Sequence, residues 1–375
     1  MFINEDVMLE KLQKAKKVIL LEPSNIRGYF PLGLARIATY VKQYGGEVVY
    51  QKKYKPVGED LVCITTLFTW YAHKIHQAID EVLKLSIISG NVDIIVGGVY
   101  VALLPQHAEK EHPQAHYFIG CSKVLDFCVP DYTLDYGLED KWNQISYIYT
   151  SRGCANKCEY CSAWKIEPEQ YRIDTWKEQI DLARPIVMIN DNNLSSQPIE
   201  YIREIFDYIK SNNLKLNIKN GMDCKYITDE LATLLGSMKF APRGMKLAFD
   251  RISEDGVFQE AVRKLIAAGV PRNKFMIYVL YNFTETPLEA IYRMTEVIKL
   301  KIDPWPQCFV KMNKLSIKEK YLGKHWTPNL RDAFHMFYLF GGYYRKNTFL
   351  SWCLNEGKNN NKYHFTPEEL KSIGG

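Results

Sequence analysis

The sequence predicts an α/β protein: a doubly wound parallel sheet, then a run of βα units that fits an incomplete or complete barrel, then a helical extension. Two observations predict it. Short Val/Ile-rich runs alternate with amphipathic segments from about residue 16 to residue 315, and the sequence beyond loses that rhythm and becomes aromatic-rich.

In the first series the order is "KVILLEP", "LGLARIATYVKQYGG", "EVVYQKKY", "LVCITTLF", "AHKIHQAIDEVLKLSI" and "VDIIVGG". Strands that read as continuous apolar runs are buried on both faces, as parallel strands joined by crossover helices are. The ligand crevice of such a sheet lies at the carboxyl ends of its strands. The loops there are "EPSNIRGYFPLG", "TTLFTWYAH" and "GGVYVALLPQHA". "VPDYTLDYGLEDKWNQ" then interrupts the rhythm as a linker or strap. The alternation resumes with "ISYIYTSRGC", "PIVMIND", "LKLNIKNG", "GMKLAFD", "KFMIYVLYNF" and "PQCFVKMN", six strands whose following loops carry function in a βα barrel. We place the first domain at 1–128, the linker at 129–145, the barrel at 146–315 and the helical extension at 316–375. In the extension the Lys/Asn-rich "EGKNNNK" precedes a last helix, where Thr366 and Glu369 have capping-box spacing and Pro367 the first helical position.

A hydrophobic content of 47% in 375 residues is enough for a sizeable core. The net charge of +5 is dispersed among alternating acids and bases, with no basic stripe interleaved with aromatics, so nucleic-acid binding is unsupported. The start, "MFINEDVMLEKL", is not a signal peptide, and no segment approaches the length of a membrane span, which predicts a cytoplasmic protein without membrane contact.

Nine cysteines are present, and three crowd into "RGCANKCEYCSAW", directly after a strand. In a reducing compartment such clustering points to metal. Three thiolates in one short loop can hold three corners of an iron–sulfur cubane and leave the fourth iron open. A structural zinc site needs a fourth ligand, which here would have to come from Cys121, Cys128 or a distant histidine. A dithiol oxidoreductase using Cys158 and Cys161 alone is expected at a helix start in a smaller domain. Cys63, Cys224, Cys308 and Cys353 read as small buried hydrophobes.

The Cys154-x3-Cys158-x2-Cys161 spacing, Tyr160 just before the last cysteine and the place after the first barrel strand resemble the signature of the radical S-adenosylmethionine (SAM) superfamily. The resemblance implies that the three cysteines hold a 4Fe-4S cluster and that SAM binds its open iron. Reductive cleavage of SAM then yields a 5′-deoxyadenosyl radical that abstracts hydrogen from a substrate. It also implies an electron donor such as flavodoxin or ferredoxin. The strand-end residues Asp191, Asn192 and Asn193 are expected at the SAM ammonium or carboxylate, Asp250 at the ribose and Asn282 near the adenine, with Tyr160 beside the cluster. The first domain resembles the cobalamin (B12)-binding domains that precede many such barrels. Its first loop nevertheless lacks the histidine of the Asp-x-His-x-x-Gly pattern, and Tyr100 stands after the second Gly-Gly where relatives often have histidine. Histidine-off cobalamin binding, and with it methyl transfer, is one alternative to plain hydrogen abstraction. A non-catalytic zinc or nucleic-acid-binding protein is the alternative of another class. The substrate is not legible.

Overall fold

The computed structural model describes residues 1–24, 28–89, 92–316, 318, 321–340, 342–355 and 363–375. The stretch 25–27 of the first crevice loop and the whole of "EGKNNNK" therefore lie outside the described residues. Two units separate, Met1–Asn190 with Met312–Glu319, and Asp191–Lys311 with Lys320–Gly375.

The first unit runs β1 (Phe2–Ile3), α1 (Glu5–Lys14), β2 (Lys17–Leu21), α2 (Leu32–Gln43), β3 (Glu47–Gln51), β4 (Leu61–Ile64), α3 (Ala72–Ser89), β5 (Asp93–Val96), α4 (Val99–Leu103), α5 (Pro105–Glu111) and β6 (His116–Phe118). These strands form one parallel sheet in the order β1-β6-β5-β4-β2-β3. Strand alternation sorts its apolar side chains into two layers. Ile19, Leu21, Val62, Ile64, Ile94 and Val96 pack with Ile75, Ile79 and Val82 of α3, whereas Val18, Leu20, Leu61, Cys63 and Ile95 pack with Leu12 of α1 and Leu34, Ala38 and Val41 of α2. Each fully buried aliphatic side chain contributes roughly 1.5–3 kcal/mol, so the doubled core explains why the strand sequences are apolar throughout. The chain passes from β2 outward to β3 and returns to β4 on the other side of β2. The ends of β2 and β4 therefore flank the switch point at which such sheets bind ligands.

Gly98, which follows β5, has φ +89° and ψ −166°, a region only glycine occupies comfortably, and a Cβ there would lie 2.4 Å from Thr65 Oγ1. Gly98→Ala is expected to lower stability by about 2 kcal/mol, measured by urea unfolding of the full chain.

The first unit continues with α6 (Lys123–Asp126), α7 (Asp140–Asn143), β7 (Ile145–Ile148), β8 (Ser151–Arg152), α8 (Ala163–Ile166), β9 (Tyr171–Arg172) and β10 (Ile186–Ile189). The irregular stretch before α7 is packed rather than loose. Tyr132 and Tyr136 close on Phe30 at centroid distances of 5.5 and 5.0 Å, and Phe30 stacks on Tyr147 of β7 at 4.6 Å. β7 and β10 pair in parallel, Ile145 opposite Ile186 and Ile148 opposite Ile189.

The second unit contains α9 (Ile199–Ser211), β11 (Lys215–Ile218), α10 (Asp229–Gly236), β12 (Met245–Ala248), α11 (Val257–Ala267), β13 (Phe275–Tyr281), α12 (Pro287–Lys299), β14 (Pro304–Cys308), α13 (Pro328–Leu339), α14 (Phe349–Asn355) and α15 (Pro367–Ser372). β12, β13 and β14 are parallel neighbours in that order, and isolated parallel bridges just outside the strands, Leu216–Phe240 before β12 and Met222–Leu247 after β11, keep the β11 segment alongside β12. The helices begin where the sequence places caps. Thr286 and Glu289 form a capping box with Pro287 at the first position of α12, and Thr366, Pro367 and Glu369 do the same for α15, as their spacing predicts. The aromatic tail packs inside this unit: Phe334 of α13 lies 4.6 Å from Tyr281 of β13, and Phe337 lies 5.6 Å from Trp352 of α14. Among the described residues no helix is long and apolar enough to cross a membrane.

Candidate functional site

After β7 the chain forms a closed loop whose neck is the antiparallel pair β8–β9, with Ser151 opposite Arg172 and Arg152 opposite Tyr171. Glu167 seals the neck, accepting from Arg152 Nη1 at 2.9 Å and from the Gly153 amide at 3.0 Å. Gly153 has φ +75°, and a Cβ would stand 2.3 Å from the Glu169 carbonyl, so the neck closes only around glycine. Inside the loop sit Cys154, Cys158, Tyr160 and Cys161, all half-buried, and the three thiols are in no disulfide. Two of these sulfurs face backbone donors. The Asn156 amide points at Cys154 Sγ and the Ala163 amide at Cys161 Sγ, both at 3.4 Å, while the Trp164 indole donates to the Cys158 carbonyl at 3.1 Å. Among the described residues no three Cys, His, Asp or Glu side chains converge on one point to hold a single ion. A cubane does not ask for such convergence, because each of its thiolates binds a different iron.

The neck is anchored by a buried charge network that no local sequence pattern announces. Asp126, at the end of α6, is 3% exposed and receives Arg152 through Nε at 2.9 Å and Nη2 at 2.6 Å. The buried Arg36 of α2 pairs with the same carboxylate, and the Tyr171 hydroxyl donates to it at 2.6 Å. Gln179 closes the circuit, accepting from Arg36 at 2.8 Å and donating to the Asp126 carbonyl at 3.1 Å. Burial alone would raise the Asp126 pKa, but Arg152 and Arg36 outweigh it and hold the carboxyl below its ordinary value. The Arg152 guanidinium also lies 3.5 Å over the ring of Tyr149.

At the sheet's switch point Glu22, 1% exposed, accepts from the Ser24 amide at 3.1 Å, and burial raises its pKa. Thr66, just beyond β4, is 1% exposed and its hydroxyl has no partner among the described residues. Tyr100 is fully buried and its hydroxyl joins His76 Nε2 at 3.0 Å to His107 Nδ1 at 2.7 Å.

In the second unit Asp191, Asn192 and Asn193 lead the chain, with Asp191 and Asn193 buried. Asn220 Nδ2 donates to the Asp191 carbonyl at 3.0 Å, and Asn193 Oδ1 accepts from Ser195 at 2.7 Å, which in turn accepts from the Asp223 amide at 3.2 Å. These links gather the Asp191–Asn193 turn and the loop after β11 into one group. Asn193 Nδ2 is left over as a buried donor without a partner among the described residues, the kind of atom a ligand carboxylate satisfies. Asp250 is half-buried at the end of β12; its Oδ1 accepts from the Leu280 amide at 3.0 Å, and Glu254, unnoticed in the sequence, fixes the Asp250 amide at 2.8 Å. Asn282 is fully buried with φ +65°, donates to the Tyr321 carbonyl at 3.0 Å and accepts from the Gly323 amide at 2.9 Å. Both ends of its amide thus hold the backbone at 321–323.

Lys246 of β12, 8% exposed, was also missed. Its ammonium donates to Asn217 Oδ1 at 2.8 Å and to the Ile218 carbonyl at 2.9 Å, both neutral. Burial, with the Lys219 charge nearby, pushes its pKa down to about 8. A lysine with a depressed folded pKa binds fewer protons in the folded state, so stability rises with pH between about 8 and the unfolded value of about 10.4. Lys246→Met is therefore expected to be more stable than the native chain by up to about 3 kcal/mol at or below pH 8, with the gap closing towards pH 10.4. Urea midpoints measured across that range for both chains check the sign.

No protein-family model and no curated protein matches the chain. Solved structures do. The radical SAM methyltransferase TsrM from Kitasatospora setae with cobalamin and a 4Fe-4S cluster matches over 78% of this chain and 75% of its own, with a TM-score of 0.61 and 13% identity. The same enzyme with tryptophan substrate and the SAM analogue aza-SAM matches over 81% and 75%, with a TM-score of 0.62 and 13% identity. The cobalamin-dependent SAM radical enzyme OxsB with aqua-cobalamin and SAM matches over 77% of this chain and 52% of its own, with a TM-score of 0.50 and 11% identity. The fold class expected from the sequence, a B12-binding-like doubly wound sheet followed by the βα series of radical SAM proteins, is thus the fold this chain shares with them.

Proposed function

We propose that this chain is a radical SAM enzyme in which Cys154, Cys158 and Cys161 hold a 4Fe-4S cluster, with Tyr160 beside it. One observation carries the reading: a loop with three half-buried thiols, two of them facing backbone amides, is held closed by its own neck after the first strand of the βα series. Bound there, the cluster supplies an electron for the cleavage of SAM. The chain's own groups position the cosubstrate. The unused Asn193 amide donor, with Asp191 and Asn192, suits the amino-acid end of SAM, and Asp250, fixed by Leu280 and Glu254, suits the ribose hydroxyls. Asn282 contributes on the adenine side by holding the 321–323 backbone in place. An electron carrier such as flavodoxin or ferredoxin is the expected partner.

Methyl transfer with cobalamin is a second reading, favoured by the cobalamin bound in both neighbouring enzymes. The crevice offers Ser24 and the unpartnered Thr66 hydroxyl, and the described part of its first loop contains no imidazole, so cobalamin there would be held without a histidine from that loop.

The test is anaerobic reconstitution with iron and sulfide, reduction, addition of SAM, and mass spectrometry for 5′-deoxyadenosine and, with added cobalamin, for methylated product. Formation of deoxyadenosine supports the enzyme. A protein that carries zinc and leaves SAM intact ends the proposal.

A further inference from the structure

The parallel sheet β12–β13–β14 and the strand β11 that runs alongside β12 have two unlike faces. Leu216, Ile218, Met245, Leu247, Ile277 and Val279 are all no more than 1% exposed and form the apolar face. Alternation puts Asn217, Lys219, Lys246, Ala248 and Tyr278 on the other, and the register sets Lys246 beside Met276 and Ala248 beside Tyr278. A lysine that is 92% buried on such a face normally has a carboxylate within reach, because a buried charge without one is costly. Here the ammonium meets only an amide oxygen and a backbone carbonyl, and its charged neighbour is a second cation, Lys219, itself exposed and without an ion pair among the described residues. The two hydrogen bonds tie β12 to the β11 segment but do not require a charge, and a second lysine on the same face adds repulsion rather than a partner. A ligand that brings the missing negative charge does account for both lysines.

We propose that Lys246, assisted by Lys219, anchors an anionic group of the substrate, a carboxylate or a phosphate, on the polar face of this sheet beside Tyr278. The proposal deepens the radical SAM reading and rests on it for the word substrate. Lys246 is a binding residue here. Its neutral partners Asn217 and Ile218 hold the ammonium on the face, and the exposed Lys219 is the first cation an arriving anion meets.

The experiment uses the full, reconstituted chain without reductant and three probes that share one ring: phenylacetate, phenyl phosphate and the neutral phenylacetamide, titrated calorimetrically. At least one anion is expected to bind saturably, and phenylacetamide at least ten times more weakly. Lys246→Met should lose at least tenfold in anion affinity, Lys219→Met severalfold, and Lys246→Arg should restore part of the loss. Whichever anion binds more tightly assigns carboxylate or phosphate. Circular dichroism confirms that each variant is folded. Equal binding of the amide, unchanged affinity in Lys246→Met, no binding of either anion, or competitive displacement by SAM, which would make the lysines part of the cosubstrate site, each overturns the proposal. Deoxyadenosine formation in the same preparations is read separately. Deoxyadenosine without anion binding defeats only this inference, and anion binding without SAM cleavage defeats the enzyme reading.

Discussion

Cys158→Ala is expected to fold normally and to lose both the cluster and at least about 100-fold of the deoxyadenosine yield, since even outer-shell changes at metal sites cost 10–100-fold. The two halves of that expectation come from different parts of the loop. Its closure depends on the β8–β9 pair, Gly153 and the Arg152–Glu167 contacts, none of which involves the Cys158 thiol. Removing a half-buried sulfur from the loop should therefore change the urea midpoint of the metal-free chain by less than about 1 kcal/mol. Ligation is different, because two thiolates leave two irons of the cubane without protein ligands. Iron and sulfide content, the sulfur-to-iron absorption band and deoxyadenosine should fall together. Cys63→Ala is the matched control. Its thiol lies in the sheet core, where burial pushes the pKa to about 12, so it should lose some stability and keep the cluster. Equal loss of cluster in both variants would place the metal somewhere other than this loop.

The strands Lys17–Leu21 and Leu61–Ile64 were legible because parallel strands covered on both faces read as nearly continuous apolar runs, and "KVILL" or "LVCI" can hardly be read otherwise. The edge strand Phe2–Ile3 and its neighbour His116–Phe118 were not, since two or three residues carry no period and become strands only through pairing, β1 with β6 and β6 with β5. The cysteine loop was legible as a candidate for a local reason: three thiols within eight positions are visible in the spacing alone. Its anchor was invisible because Arg36, Asp126 and Arg152 meet across separations of 90 and 26 residues, with nothing periodic to announce the meeting. Lys246 shows a third kind of difficulty. In "GMKLAFD" it occupies the polar position of an ordinary alternating strand, and only the neighbours of that strand reveal that the polar face buries it. Asn282 was found for its place at a strand end, but its left-handed backbone and the carbonyl and amide it grips depend on residues about 40 positions away.

Asp126→Asn is expected to be the most damaging single change in the first unit, costing about 3–5 kcal/mol, the range found when one member of a buried ion pair is removed. Asparagine keeps the shape and removes the only negative charge shared by Arg36 and Arg152. Its new amide would also direct donors at the donors of Arg152 and Tyr171. Arg152 retains Glu167, whereas Arg36 keeps, among the described residues, the neutral Gln179 oxygen and the Tyr149 ring. The neck of the cysteine loop should therefore survive in a looser form, and limited proteolysis should cut within 153–170 faster than in the native chain. Because the Asp126 carboxyl is held below its ordinary pKa, its contribution is full above the unfolded value of about 3.9 and is lost as pH falls through the lower folded value. The gap between native and variant in urea midpoint should thus be constant near neutrality and shrink in acid. The double variant Asp126→Asn with Arg36→Met separates charge from packing: removing the stranded cation along with its partner should restore part of the loss, as buried pairs replaced by apolar groups do. If the double variant is no more stable than Asp126→Asn alone, the network acts through shape and hydrogen bonds to Gln179 and Tyr171, and the charges of Arg36 and Asp126 are incidental to how the cysteine loop is held.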